Sequence, residues 1–334
     1  MAAGVAGAII WNVNSIFRVR AQLAELAIEV TPSGSGGLAA ERGHGFRVES
    51  LSEVGRLLAQ LPPLQTLNLD GTEVLNIGPL KDLRTLKVLV LSSTPLADIG
   101  PLKDLKALED LDLRNTRVAD IGPLKDLKAL RTLYLWNTKV ADIGPLKDLK
   151  ELKTLNLWGT PVADIRPLKD LKALEDLDLL GTQLADIGPL KDLKALKDLE
   201  LSDVQVANIG PLKDLNALEY LDLSDSHVAD IGPLKDLREL RRLDLSRTKV
   251  ADIGPLKDLR QLEWLNLSGT KVADVSPLKD LEALETIDVS RTQVVDAGPI
   301  QDLPHLSRLA GVSNGDIAKV NAYRVQRGLP ALSN

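Results

Sequence analysis

Cysteine is absent from the 334 residues. Disulfides, thiolate metal sites and thiol nucleophiles are thereby excluded, and a reducing compartment is an adequate home. Aromatic residues are scarce, with 4 Trp, 3 Tyr and 2 Phe making up 3% of the chain, so leucine must fill the core. The three histidines, His44, His227 and His305, are scattered, and no HExxH or other paired-ligand spacing occurs. No GxxxxGK[ST] phosphate loop is present, and Gly34-Ser35-Gly36-Gly37 follows no predicted strand. No segment reaches the roughly 20 apolar residues of a membrane helix. Residues 3–17 come nearest, but Asn12 and Asn14 interrupt them, and the lack of Lys or Arg before Arg18 removes the charged start of a signal peptide. Basic residues are not in excess either. The formal net charge of −6 argues against a nucleic-acid-binding surface. The expectation is a soluble, cytoplasmic protein, or a piece of something longer, without cofactor or metal.

Leucine is abundant, and it is periodic. A 22-residue repeat starts at Leu64, Leu86, Leu108, Leu130, Leu152, Leu174, Leu196, Leu218, Leu240, Leu262 and Leu284, so eleven repeats fill residues 64–305 without insertion. Each reads LxxLxLxxTxVADIGPLKDLxx with small variations. The LxxLxL segment alternates apolar and variable positions, as a short strand with one buried face does. The Thr that follows (Thr72, Thr94, Thr116, Thr138 and their successors) is expected at a turn, and Val204 and Ser226 interrupt that column. Val and Ile point inward, and a proline present in all eleven repeats, from Pro79 to Pro299, opens a short helical segment. One repeat cannot bury its own leucines, whereas eleven stacked repeats can, with parallel strands ~4.8 Å apart.

This unit resembles the 22-residue class of the leucine-rich repeat family and is similar to internalins and to the phosphatase-regulating repeat proteins. The resemblance covers about 240 residues. It implies an α/β fold, a right-handed solenoid or curved horseshoe, with a parallel concave sheet and short helical segments on the convex side. The family usually carries Asn where this chain has Thr, its amide bonding backbone groups as a ladder. Thr is expected to do part of this through its hydroxyl.

A stack needs caps. Ser50-x-x-Glu53 reads as a capping box opening a helix over 51–60. Ile16, Val19, Leu23, Leu26 and Val30 step by three and four, as one apolar helix stripe does, and Thr31–Gly37 reads as a flexible break. After Leu303 the pattern decays. Asn314-Gly315 reads as a turn, Asp316 as a cap, and 317–327 as a helix closed by Gly328 and Pro330. The expected organisation is an N-terminal helical segment and linker (1–37), a cap helix (38–63), the repeats (64–305) and a C-terminal cap helix (306–334).

Acidic residues are plentiful but belong to the repeat. Asp82 and its ten equivalents read as solvated Lys-Asp columns, and the column of Asp120, Asp142, Asp164 and Asp186 as capping of the repeat turn rather than a row of metal ligands. The sequon Asn266-Leu267-Ser268 falls in a predicted strand and reads as accidental. Nothing points to catalysis. The stripe from Ile16 to Val30 spans only two heptads, below the three or four that support a coiled-coil seam, so it reads as a cap packed on the first repeat ahead of a seam or a membrane-surface helix, and a monomer is expected before a homo-oligomer.

In a regular solenoid the variable columns are free to carry a partner. The third, fifth and seventh positions of each repeat face the expected concave side and hold all five aromatics of the repeat body: Tyr134, Trp136, Trp158, Tyr220 and Trp264. Tyr134, Trp136 and Trp158 are expected to touch, with Leu180 extending their lane. Tyr220, Arg242 and Trp264 form a second group in which Arg is placed between two rings. Asp176, Asp178, Asp198, Glu200, Asp222 and Asp244 lie between as an acidic floor. Residues 64–303 hold 32 Lys and Arg against 41 Asp and Glu, a net of −9. These features predict a non-enzymatic protein-interaction scaffold whose concave face binds a protein or peptide with a basic and apolar segment. The alternatives are a sensor or autoinhibitory module of a larger enzyme or assembly, and a structural spacer.

Overall fold

The computed structural model describes residues 28–32, 38–42 and 64–333. The chain divides into two compact units, residues 1–155 and 156–334. The first contains β1 (Ile28–Pro32), β2 (Leu38–Arg42), β3 (Leu64–Asn68), β4 (Val88–Val90), β5 (Asp110–Asp112) and β6 (Thr132–Tyr134), and β7 (Thr154–Asn156) lies at the boundary. The second contains β8 (Asp176–Asp178), β9 (Asp198–Glu200), β10 (Tyr220–Asp222), β11 (Arg242–Asp244), β12 (Trp264–Asn266), β13 (Thr286–Asp288), β14 (Arg308–Ala310) and helix α1 (Asn314–Gln326). From β3 to β6, and from β8 to β14, neighbouring strands pair in parallel one repeat apart, as Leu89 with Leu111 and Leu221 with Leu243. Each unit is a stretch of α/β solenoid.

The strands alternate with eleven 3-10 segments of three to five residues, from Gly78–Asp82 to Gly298–Ile300. Their tight winding follows from the spacing. Ile77, Leu80, Leu83 and Leu86 are three residues apart, and each leucine N–H donates to the carbonyl three residues earlier at 2.9–3.0 Å. Three residues per turn keeps all four on one face, which an α-helix would not. Proline stands in the first turn of every segment, where its missing N–H has no partner to lose. The leucines of LxxLxL, the following Val or Leu, the Ile (Val275 in the tenth repeat), and the two leucines of PLKDL are at most 5% exposed throughout the first ten repeats. The eleventh is looser, with Ala297 in the Ile column and Val294 only half-buried.

The turn after each strand differs from the sequence expectation. The residue before the Thr column lies in the left-handed region in all eleven repeats, with φ between 53° and 73°. Four of these are Gly and the rest are Ser, Asn, Asp or Arg, none β-branched. The Thr hydroxyl does not build a ladder between repeats. It donates to the leucine carbonyl three residues earlier in its own repeat, as Thr94 to Leu91 (2.7 Å) and Thr182 to Leu179 (2.6 Å). Ser226 does the same to Leu223 at 2.6 Å, and Val204 fills the position with a buried apolar side chain. The column therefore locks each turn rather than joining repeats.

The ends differ from expectation too. Residues 28–32 and 38–42 form an antiparallel hairpin whose second strand pairs in parallel with β3. Val30, the last member of the apolar stripe, is thus in a strand, and 38–42 do not belong to a cap helix. The remaining stripe positions, residues 33–37 and the helix expected over 51–60 lie outside the described residues. Ile28, Val30 and Thr31 are β-branched and favour a strand. Extending the sheet also satisfies the N–H and C=O groups that an edge strand would leave unpaired.

At the other end α1 starts earlier than expected. Ser313 is its N-cap, accepting from the Asp316 N–H (3.1 Å), while its hydroxyl donates to the Asp316 carboxylate (2.6 Å). Asn314-Gly315 is therefore the first turn of the helix, and Asp316 completes a reciprocal cap. Arg324 anchors α1 to the last repeat. It is wholly buried, and its guanidinium donates to the carbonyls of Gln301, Leu303, Leu306 and Pro330 at 2.8–2.9 Å. Burial pushes its pKa down, opposed by the Asp302 charge. Ser333 closes the edge, its carbonyl accepting from Leu309 N–H and its N–H donating to Ser307 O, both at 2.9 Å.

Candidate functional site

Outward side chains of the sheet form columns, because strand residues alternate faces and successive repeats stay in register. In the second unit the third position runs Asp176, Asp198, Tyr220, Arg242, Trp264, Thr286 and Arg308. The fifth runs Asp178, Glu200, Asp222, Asp244, Asn266, Asp288 and Ala310 over the same strands.

The expected arginine sandwich is present. The Arg242 guanidinium lies 5.6 Å from the Tyr220 ring centre and 5.8 Å from that of Trp264. Both rings are half-buried and the arginine is exposed. The first unit holds a second, which the sequence reading missed. Arg114 lies 5.8 Å from the Tyr134 ring and 5.9 Å from that of Trp136. Its place in the seventh column, one repeat before Trp136, was the available signal. Tyr134 and Trp136 belong to the first unit, and Trp158 and Leu180 to the second. Trp158 is 43% exposed, and Leu180 is half-buried.

The acidic floor is partly structural. Fifth-column Asp and Asn side chains accept the backbone N–H two residues on: Asp178 from Leu180 (3.0 Å), Asp222 from Ser224 (2.7 Å) and Asp244 from Ser246 (2.7 Å). Eight repeats do this, from Asn68 to Asp288. Such Asx turns hold the chain as it leaves the strand. The sequence clue was that Asp or Asn fills this column in just those eight repeats. Asn156 and Asn266 also donate to Asp178 (2.6 Å) and Asp244 (2.9 Å), so the sequon asparagine serves the ladder. A second Asx column matches the capping expected of it. In every repeat the Asp or Asn before the 3-10 segment accepts the N–H two residues on, as Asp120 from Gly122 at 2.7 Å.

Glu200 breaks the fifth column. Too long for the turn, its Oε1 accepts the Tyr220 hydroxyl at 2.6 Å. Its Oε2 is buried without a partner among the described residues. Burial, together with the Asp222 and Asp178 charges, raises Glu200 to about 7 against the Tyr220 hydrogen bond. Asp198 rises to about 6, chiefly by burial and then by a hydrogen bond with Asp176. Burial also raises Asp178 and Asp222. This patch therefore carries less negative charge near neutrality than its composition counts. Asp176 and Asp244 complete the acidic set, both half-buried. No group of three or more His, Asp or Glu close enough to hold a metal occurs among the described residues. No described helix is long and apolar enough to cross a membrane.

A family model described as "Leucine Rich repeats (2 copies)" matches residues 84–126, 128–172, 150–192 and 216–259. The chain belongs to the leucine-rich repeat family. Among solved structures, this leucine-rich repeat protein is similar to an internalin, inlF, from Listeria monocytogenes. Identity is 28% over 81% of this chain and 85% of that one, with a TM-score of 0.76. It is also similar to internalin C2 from the same organism, at 34% identity over 56% of this chain and 83% of that one, TM-score 0.55. A Leptospira interrogans leucine-rich repeat protein, at 22% identity over 83% of this chain and 85% of that one, TM-score 0.58, shows the fold alone. A comparison with curated proteins gives no match. Leucine-rich repeat solenoids are commonly protein-interaction scaffolds, because stacking leaves an extended surface whose side chains are free of the core.

Proposed function

We propose that this leucine-rich repeat protein is a non-enzymatic interaction module whose outward sheet face binds a protein or peptide carrying a basic and apolar segment. One observation carries the reading: in each unit an arginine lies against two aromatic rings that the core does not need. The inner columns are filled by aliphatic residues at most 5% exposed through the first ten repeats. Aromatic rings held rigid on an open face lose little entropy on binding and are typical interface anchors. The acidic residues beside them favour a basic partner.

The test uses a partner captured from the source cell by the full chain. Trp158→Ala and Trp264→Ala should each raise its dissociation rate and cost about 2 kcal/mol of affinity. Asp178→Asn combined with Glu200→Gln should mainly slow association and flatten its salt dependence, since Asn keeps the acceptor that Leu180 N–H needs and gives up only the half-exposed bond from Asn156. None should move the melting temperature by much. A partner held on the Lys-Asp columns and untouched by all four substitutions would overturn the proposal.

A further inference from the structure

The outward face of the first unit has a depression of about 280 Å³ over β4, β5 and β6. Its outward lining is a grid of three strands by two columns. Val88, Asp110 and Thr132 are in register in one column, and Val90, Asp112 and Tyr134 in the other. The depression lies at the lower edge of the roughly 300–1,000 Å³ range of small-molecule pockets and has room for one long side chain of a partner.

The charges decide which side chain. Every other acid around the grid is engaged. The Asp70 carboxylate accepts the Ser92 hydroxyl at 2.6 Å. Glu109 pairs with Lys87 at 2.8 Å and with Arg131 at 3.5 Å. The Asp112 carboxylate is buried and accepts both the Arg114 side chain (2.7 Å) and the Arg114 backbone N–H (3.1 Å). Arg114 is in turn held over the Tyr134 and Trp136 rings. Asp110 is the exception. It is half-buried, and its carboxylate has no hydrogen-bond or ion-pair partner among the described residues.

We infer that this depression is a subsite for one lysine side chain of a partner polypeptide, its ammonium on Asp110 and its methylene stem on Val88, Val90 and the Tyr134 ring. An apolar wall beside a single unneutralised carboxylate complements a long aliphatic stem ending in a compact cation. An acidic side chain would meet like charge at Asp110. A purely apolar one would leave the half-buried carboxylate with no compensating partner. This assignment deepens the interaction reading above and rests on it.

The full chain, labelled at its valine methyls, is titrated with three blocked tripeptides, Ac-Gly-X-Gly-NH2, with X lysine, norleucine or glutamate. The lysine peptide should shift the Val88 and Val90 methyl signals saturably. Norleucine should bind about tenfold more weakly, the loss expected for a charge-assisted hydrogen bond, and glutamate should give no shift. Asp110→Asn, a half-exposed isosteric change, should bring lysine down to the norleucine level with an unchanged melting temperature. Val88→Ala should weaken lysine and norleucine alike. Three results overturn the inference: no shift with lysine, equal shifts with all three peptides, or lysine binding unchanged in Asp110→Asn. None of them touches the interaction reading, which stands or falls on the second-unit tryptophans.

Discussion

The two units share their inner columns almost residue for residue, yet their outward faces differ in kind. In the first unit the face over β4–β6 is apolar and pocketed, its arginine tied to a buried aspartate through a 2.7 Å ion pair. In the second the face over β8–β11 is an acidic ladder; its Arg242, like Arg114, lies against two rings but has no ion pair to a buried aspartate among the described residues. Parallel register forces the inner columns to repeat, because each leucine packs on its own copy one repeat away. It imposes nothing on the outer columns beyond the Asx turn. The three repeats that abandon that turn have Val90, Tyr134 and Glu200 in its place. These are the residues that line the depression, carry an aromatic contact, and hold the buried carboxylate oxygen. In these three repeats the turn bond is absent and the outward side chain has a different role.

Substitutions in the shared columns should erase the distinction between units. Leu113→Asp and Leu179→Asp occupy the same position in different units, each 0% exposed. Each should lose about 4 kcal/mol or more by placing an unpaired charge in the stack. Equal losses in chemical denaturation are expected, and a melting curve matching the wild type for either would show the inward assignment to be wrong.

A change at the C-terminal edge should separate the units again. Arg324→Met keeps much of the volume of a buried side chain but leaves the carbonyls of Gln301, Leu303, Leu306 and Pro330 without their donor. A loss of about 3 kcal/mol is expected. Hydrogen exchange should accelerate in α1 and β14 while β4–β6 stay protected. Removing residues 313–334 altogether should uncover Leu306 and Leu309 and lower solubility. A monodisperse, equally stable truncation would mean that α1 does not cap the stack.

The smallest expected effect belongs to the acidic ladder. Burial raises Glu200 to about 7 in the folded chain from an ordinary 4.5, so the folded state holds the extra proton between those values. The stability of the second unit should therefore fall as pH rises from about 4.5 to about 7 and level off above. For a half-exposed group the change should be on the order of 1 kcal/mol. Glu200→Gln should flatten that part of the profile. A profile unchanged by the substitution would place the raised pKa elsewhere.

Much of this was legible in the residues because a repeat states its rule eleven times. Period, inward columns, proline-led helical segments and the arginine between Tyr220 and Trp264 all follow from spacing. The residues at the ends appear once each, so no periodicity constrains them. Val30 fits a helix stripe and a strand equally well until an unpaired sheet edge is there to receive it. Arg324 reads as an ordinary charge on a helix, since its partners are backbone carbonyls that no side-chain pattern announces.

The sequence by itself determined the solenoid, because leucine spacing of three along the 3-10 segments and alternation along the strands admit one way to bury every repeat. Only the tertiary structure decided which outward charges are free. Asp178, Asp222 and Asp244 accept local backbone N–H groups, Glu200 takes a tyrosine hydroxyl, and Asp110 is without a partner among the described residues. Such pairing depends on directions and distances of a few tenths of an ångström, which a string of letters does not carry.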